Sequence, residues 1–415
     1  MFKKSIFNIE DERLGSVVIY NTYSSKIIEL ELDEYFFWTT DIKRLDPGTF
    51  QWLRDNHFIV PTSLDESKQV IEQYECVTGS NEVGNLFRIL PTTKCNARCY
   101  YCFEKELPGI DMSLDVADKV VDFIKKRTEH DKSIKLEWFG GEPLLKKDII
   151  TYISSRLIDE LPDKTIYSTM TTNASLFDLH TINESKNWNL KAIQVTLDGL
   201  DDVYDSIKNY KSKRYNFNNT IENVHKLIEN GIEVTIRLNY NEDNLLHNLE
   251  LIDFIQHEFG DTVDVYCSQS YSVGNVPESS VPRFVESIIV KKLLDAGYFK
   301  YETLLKRKYA VCGLASFDSF VVIGPDGNVY KCVESMSFPE KSCVGTIFDK
   351  ELNNELINYW KKPIDEERCL QCPYLPMCSG GCVSARMGLC SLRCFRYMNI
   401  VNLLINWVSC NHQHG

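Results

Sequence analysis

The stretch Thr93-Lys94-Cys95-Asn96-Ala97-Arg98-Cys99-Tyr100-Tyr101-Cys102-Phe103, which follows the strand-like Phe87–Leu90, decides how the rest of the chain is read. Three cysteines at this spacing can hold three irons of a 4Fe–4S cube. The fourth iron is then open to a small molecule. A cluster that only carries electrons takes four cysteines, so a loop supplying three suits chemistry at the open iron.

Outward from this loop, strand and helix alternate. Strands are expected at Phe87–Leu90, Ile134–Phe139, Thr165–Thr169, Ala192–Leu197, Glu233–Leu238 and Val263–Tyr266. Helices are expected at Leu114–Arg127, Lys147–Leu161, Ile221–Asn230 and Asn244–Glu258. Repeated βα units predict a parallel sheet, and six of them a barrel or an open partial barrel. The polar motifs fall at strand ends: Cys95–Cys102 after the first, Gly140-Gly141-Glu142-Pro143 after the second, Thr171-Thr172-Asn173 after the third, Asp198-Gly199 after the fourth and Asn239 after the fifth. Active sites of βα barrels gather at the carboxyl ends of the strands, so these five are expected at one rim. Taken alone, Gly140-Gly141 and Asp198-Gly199 read as turns, Asn173 as a helix cap and Arg237 as a surface or ion-pair residue.

The chain has 415 residues, 43% hydrophobic and 25% charged, with a net charge of -13. That composition is globular. The negative balance argues against a non-specific nucleic-acid or anionic-membrane surface. No apolar run reaches the length of a membrane span, and Lys3 and Lys4 are not followed by a signal-peptide core, so a cytoplasmic location is expected. Of 15 cysteines, three lie in the loop and nine between Cys312 and Cys394, counting Cys343 and Cys390. Clustered cysteines in the cytosol point to metal rather than disulfides. Cys76, Cys267 and Cys410 stand apart and read as small buried hydrophobes.

The flanks read differently from the centre. Residues 1–75 form a small module: Val17–Tyr20 and Lys26–Leu30 predict a hairpin, with helices near Asp33–Trp38 and Pro47–Asn56, a strand at Phe58–Val60 and a linker edge at Ser63–Glu66. Residues 86–305 hold the βα units. From 308 to 398 the alternation stops. Phe320–Ile323 and Val329–Lys331 flank Gly324-Pro325-Asp326-Gly327-Asn328, a hairpin signal. Cysteines follow, and a last helix at Phe395–Val408 and a tail close the 399–415 segment.

The Cys95/Cys99/Cys102 spacing, with aromatic Tyr101 before the third cysteine, resembles radical S-adenosylmethionine (SAM) enzymes. Gly140–Pro143 look like that superfamily's motif for the SAM amino group. Cys312, then Gly327 and Cys332, then Cys369-x2-Cys372-x5-Cys378-x3-Cys382 and a final cysteine resemble the SPASM extension. Together these cover roughly residues 86–395. The resemblance implies an α/β chain: a partial (β/α)6 TIM-like barrel, a C-terminal cysteine-rich SPASM domain and, more weakly, an N-terminal winged-helix-like module similar to RiPP recognition elements. Such a module binds the leader of a ribosomal peptide by strand addition.

The same resemblance implies three 4Fe–4S clusters, one binding SAM and two auxiliary. Cys312, Cys332 and Cys382 would hold the first auxiliary cluster. Cys369, Cys372, Cys378 and Cys394 would hold the second, with Cys390 as the substitute for Cys394. Sulfatase-maturing members carry a further cysteine where this chain has Asp318. The remaining corner would then fall to Asp318, to Cys343 or to substrate sulfur, and a sulfatase-maturing activity is disfavoured. For SAM the implied contacts are Tyr101 and Phe103 near adenine, Gly140, Gly141, Glu142 and Pro143 at the amino group, and Asn173, Thr196, Asp198 and Arg237 at ribose or carboxylate. Cys95, Cys99 and Cys102 would carry the catalytic cluster.

The implied function is a peptide maturase. A 5′-deoxyadenosyl radical would take hydrogen from a ribosomal precursor peptide, and a cysteine sulfur would close an intramolecular thioether. The partners would be a precursor peptide with its leader and an external electron donor such as flavodoxin or ferredoxin, with no nucleic acid and no membrane. Two alternatives stand beside it: another radical SAM maturase (carbon–carbon crosslinking, epimerisation or formylglycine formation), and a non-catalytic iron–sulfur or zinc protein that binds a partner.

Overall fold

The computed structural model describes residues 1–79, 85–241, 244–269, 283–298, 305, 315–389, 401, 403 and 405. Cys312, Cys390 and Cys394, and the helix expected over Phe395–Val408 apart from 401, 403 and 405, lie outside the described residues.

The N-terminal part holds β1 (Phe2–Lys4), β2 (Asn8–Glu12), β3 (Ser16–Asn21), β4 (Lys26–Glu31), α1 (Leu32–Thr40), α2 (Pro47–Asp55), β5 (Ile59–Pro61) and α3 (Glu66–Gly79). Strands β2, β3 and β4 form an antiparallel meander and β1 pairs with β5. Asp46 opens α2 by accepting from the amides of Gly48 and Thr49, with Pro47 in the first turn. That placement satisfies donors a helix start would leave bare. All six residues of β3 are buried. Val17 and Ile19 pack with Leu30, Trp38, Leu53, Phe58 and Ile59. Val18 and Tyr20 turn the other way and join the main core.

Ser63–Glu66, read as a linker edge, runs straight into α3. Val70 on that helix packs with Phe7, Ile364 and Leu375. Ser67 donates to the Leu370 carbonyl and the Tyr74 hydroxyl to Ser316 Oγ. The first 79 residues thus share two apolar cores with the cysteine-rich segment. Sequence periodicity reports an element's own faces and says nothing of which distant segment covers them.

The centre carries β6 (Asn85–Ile89), α4 (Leu114–Arg127), β7 (Ser133–Trp138), α5 (Lys147–Glu160), β8 (Thr165–Thr172), α6 (Leu179–Ser185), β9 (Leu190–Leu197), α7 (Asp201–Lys208), α8 (Phe217–Glu229), β10 (Glu233–Tyr240), α9 (Leu245–Phe259), β11 (Val263–Gln269) and α10 (Arg283–Asp295). Strands β6–β11 lie side by side in chain order, every pair parallel. The six expected strands are all present, each within three residues of its expected ends, because alternation of apolar and polar residues is a local signal. Ile134, Leu136 and Trp138 of β7 are buried while Lys135 and Glu137 between them are half-buried on the other face. The same period of two runs through β8 and β9. One face packs on the helices and the other faces the hollow of the curved sheet.

The hairpin expected around Gly324–Asn328 forms β12 (Phe320–Ile323) and β13 (Asn328–Tyr330), with β14 (Cys343–Thr346) beside it. Its position was not expected: β12 pairs in parallel with β6, so one nine-stranded sheet runs β11-β10-β9-β8-β7-β6-β12-β13-β14. All four β12 residues are buried, the mark of a strand covered on both faces. The cysteine-rich segment is therefore hydrogen-bonded to the strand that launches the three-cysteine loop. No helix among the described residues is long and apolar enough to cross a membrane.

Candidate active site

The loop after β6 is fixed before any ligand arrives. Thr92 Oγ1 donates to Asp111 Oδ1 (2.7 Å), the Thr93 amide donates to the Ile110 carbonyl (3.0 Å), and Lys94 pairs with Asp111 (2.7 Å). Further along, the Arg98 amide donates to the Lys208 carbonyl (2.8 Å) and the Lys211 amide to the Asn96 carbonyl (2.9 Å). The C-terminal end of α7 thus clamps the loop between its first and second cysteines.

Cys95, Cys99 and Cys102 line one open cavity, together with Tyr101, Phe103, Gly140, Gly141, Asn173, Thr196 and Arg237. Burial pushes the Cys95 thiol up to about 12, helped by the Glu142 carboxylate. Burial likewise raises Cys102 to about 11, with Glu104 adding to it, and raises Cys99. Three thiols so disfavoured as bare anions become thiolates only on a strong cation, which is what metal ligation supplies. Among the described residues no three His, Cys, Asp or Glu side chains converge as a single-ion site requires. A cube takes each thiolate on a separate iron, and three thiols spread around one cavity fit that demand.

Gly140 and Gly141 have a steric reason beyond the one expected from sequence. A Cβ on Gly140 would sit 2.2 Å from the Thr92 carbonyl oxygen, and one on Gly141 2.3 Å from that of Lys94. Gly140 also has φ +114°, a region that favours glycine. The Gly141 and Glu142 amides donate to those two carbonyls (3.2 and 2.9 Å). The glycines let the loop after β7 lie directly on the cysteine loop, and their backbone then forms cavity wall.

Glu142, Pro143 and Asp198, expected at the cofactor, are placed behind that wall. Glu142 is fully buried and accepts from Thr172 Oγ1 (2.8 and 3.0 Å) and from the Asn173 and Leu144 amides (2.9 and 3.2 Å). Burial lifts its carboxyl to about 7 in spite of these donors. Asn173 Nδ2 in turn donates to Asn96 Oδ1 (2.8 Å). The three loops are therefore tied in series through Glu142 and Asn173. Asp198 is buried and holds Lys208 Nζ (2.9 Å) and the Tyr101 hydroxyl (2.8 Å). Burial opposes the Lys208 charge, but the Asp198 carboxylate keeps it protonated, well above the ordinary lysine range. Phe103 stacks on Phe139 at 6.5 Å.

Thr171 and Asn239, expected at the rim as strand-end residues, line the cavity as well, and so do Lys208, Gln194, Glu104 and Glu334, which were not singled out from sequence. Gln194 lies two residues from Thr196, on the same strand face, and period-two reading from that residue would have reached it. Glu104, Lys208 and Glu334 carry no such signal. Burial raises Glu104 to about 8.

In the C-terminal segment, Cys332 and Cys382 are near enough to interact electrostatically, and burial first, then Glu334, raises Cys332 to about 12. Ser379, Gly380 and Gly381 run consecutively with positive φ, a sharp reversal that carries the chain back from Cys378 to Cys382. The Cys372 amide donates to the Cys369 carbonyl (3.0 Å), so those two cysteines sit in one turn. Asp318 pairs with Lys361 (2.7 Å) on the surface. Cys343 Sγ donates to the Gly345 carbonyl (3.2 Å).

The family model described as the radical SAM superfamily matches residues 89–255. A probable GTP 3′,8-cyclase of Methanococcus maripaludis is 33% identical over 149 residues, 36% of this chain and 45% of that protein. The GTP 3′,8-cyclase of Staphylococcus haemolyticus is 27% identical over 305 residues, 66% of this chain and 86% of that protein. The chain spans about half the length of the first of these curated relatives. Among solved structures, anSMEcpe with bound AdoMet superposes with a TM-score of 0.64 at 17% identity, over 79% of this chain and 97% of that one, and it has also been solved with AdoMet and a Cp18Cys peptide. Streptococcus suis SuiB bound to S-adenosylmethionine gives 0.52 at 16% identity, over 93% and 97%, and it too has been solved with a peptide, the precursor SuiA. At these identities the likeness establishes the fold. With the open parallel sheet and the three-thiol cavity over its carboxyl rim, residues 89–255 are similar to the radical SAM superfamily in sequence and in fold.

Proposed function

We propose that the chain is a radical SAM peptide maturase that forms an intramolecular thioether from a precursor-peptide cysteine. The observation that carries this reading is the composite cavity: Glu334 of the cysteine-rich segment lines the same space as the three thiols, so that segment is part of the reaction chamber. Both structural neighbours solved with peptides share the fold.

Cys95, Cys99 and Cys102 would hold a 4Fe–4S cluster, with SAM against Gly140, Gly141, Asn173, Thr196 and Arg237. Bound there, the pair supplies one-electron chemistry able to take hydrogen from an unactivated carbon. The chain's own part is positional. Glu142 locks the Asn173 loop to the glycine loop, and Asp198 and Lys208 hold the Tyr101 phenol, which keeps the ring at the cavity wall. Cys332 with Cys382, and Cys369, Cys372 and Cys378, would ligate two auxiliary clusters, completed by Cys312 and Cys394 (or Cys390). Those clusters would accept the electron released on thioether closure. Residues 1–75 would bind the leader, an electron donor such as flavodoxin or ferredoxin would serve the N-terminal cluster, and the cytoplasm would be the place of action.

A nucleotide substrate is the second reading, favoured by the GTP 3′,8-cyclases among the relatives. One experiment separates them. The anaerobically reconstituted protein, given SAM, reductant and either precursor peptide or GTP, releases 5′-deoxyadenosine in step with product. A peptide two hydrogens lighter with a blocked cysteine supports the maturase. Turnover with GTP alone refutes it. Cys99→Ala abolishes SAM cleavage under either reading, and retained cleavage would remove the cluster assignment.

A further inference from the structure

One group in the cavity wall is left without a partner by the fold. Glu104 lies in the single helical turn Phe103–Glu106 after the third cysteine and is 6% exposed. Its Oε1 is buried with no hydrogen-bond partner among the described residues. The turn Val333–Ser337 of the cysteine-rich segment packs on it through Phe103, Leu107, Val333 and Met336, and brings Glu334 into the same cavity. Among the described residues, the two cations lining that cavity are engaged elsewhere: Lys208 on Asp198, Arg237 on Asn239 Oδ1 and Ser268 Oγ. A carboxyl buried without a donor is costly to maintain, and a ligand that brings the donor removes that cost.

We propose that Glu104, with Glu334, is a cation-accepting subsite that takes a primary ammonium of the substrate, of the kind a lysine side chain carries. The assignment rests on the peptide reading above and narrows it to peptides with a basic residue near the reacting position. An ammonium offers three donors on a flexible stem, enough to satisfy Glu104 and still reach Glu334. The residues proposed to hold SAM come from the ends of β7–β10, whereas Glu104 follows the third cysteine of the cluster loop and Glu334 lies in the cysteine-rich segment.

The test titrates the reconstituted full-length protein with n-butylammonium chloride and with n-butanol as the neutral match, by calorimetry. Wild type is expected to bind the amine about tenfold more tightly than the alcohol, as a charge-assisted hydrogen bond allows. Glu104→Gln abolishes the preference and Glu334→Gln reduces it. Equal binding in wild type, or a preference that survives Glu104→Gln, overturns the proposal. SAM affinity stays within about twofold in Glu104→Gln; a loss near tenfold would give the carboxyl to the cofactor and overturn the substrate assignment. Glu104→Gln also raises the thermal midpoint of the ligand-free protein, since no internal partner is lost, and a lowered midpoint counts against the subsite. If amine binding behaves as stated but no precursor peptide is modified, the peptide reading fails while the ammonium subsite stands.

Discussion

Lys208→Met isolates the device that braces the cysteine loop. Lys208 is 3% exposed in its side chain and Asp198 0%, with Nζ 2.9 Å from Oδ2. The other oxygen of Asp198, Oδ1, is buried with no hydrogen-bond partner among the described residues, so the lysine is the main compensation for that charge. Removing one member of a buried pair leaves the other uncompensated, at a cost of about 3–5 kcal/mol. Asp198→Asn/Lys208→Met removes both charges and should recover most of that loss. The consequence reaches the cluster: the Lys208 carbonyl accepts from the Arg98 amide and the Asp198 carboxylate from Tyr101, so disorder at the end of α7 spreads to the loop. Urea titration followed by the fluorescence of Trp138 and Trp188, both fully buried in the central core, reads the stability, and iron analysis reads cluster retention. A single variant that loses less than about 1 kcal/mol, or a double variant no better than the single, would refute the reasoning, since an exposed pair behaves that way.

Gly141→Ala is expected to cost about 1–3 kcal/mol and to abolish SAM cleavage, because its Cβ meets only backbone atoms of Thr93 and Lys94, which cannot rotate away; normal cleavage would contradict the loop-on-loop packing. Glu142, raised by burial to about 7, is protonated in the folded chain over a range where the unfolded chain is ionised. Its contribution to stability is complete below about pH 4.5 and is lost as pH rises to about 7, a change of about 3 kcal/mol. Glu142→Gln should flatten that part of the stability–pH curve, and an unchanged curve would show the carboxyl is not the titrating group. Cys369→Ala is expected to lower iron from about twelve atoms per chain toward eight if two auxiliary cubes are bound; wild-type iron near four would contradict the auxiliary assignment.

The neighbourhood of β6 separates local information from distant information. Strands β6–β11 and helices α4, α5 and α9 could be read from periodicity because each must bury one face of its own residues, whatever covers it. The spacing of Cys95, Cys99 and Cys102 could be read because one short loop holds all three. By the same logic, Phe320–Ile323 announced a strand and the Asp326-Gly327 turn a hairpin. That β12 would pair with β6 depends on a contact across more than 200 residues, which no local pattern encodes.

Residue identity by itself placed three thiols in one loop, a glycine pair at a strand end and a run of cysteines in the C-terminal segment. Tertiary structure decided the rest. It gave the side chains of Glu142 and Asp198 hydrogen-bond donors behind the cavity wall, where each braces a loop. It seated α3 on the cysteine-rich segment. It brought Glu104 and Glu334 into one chamber, since the joining of β12 to β6 carries Val333–Ser337 back over the loop. Groups close in sequence share a geometry set by the backbone's own period, whereas groups far apart share one only after the core has chosen which faces to bury together.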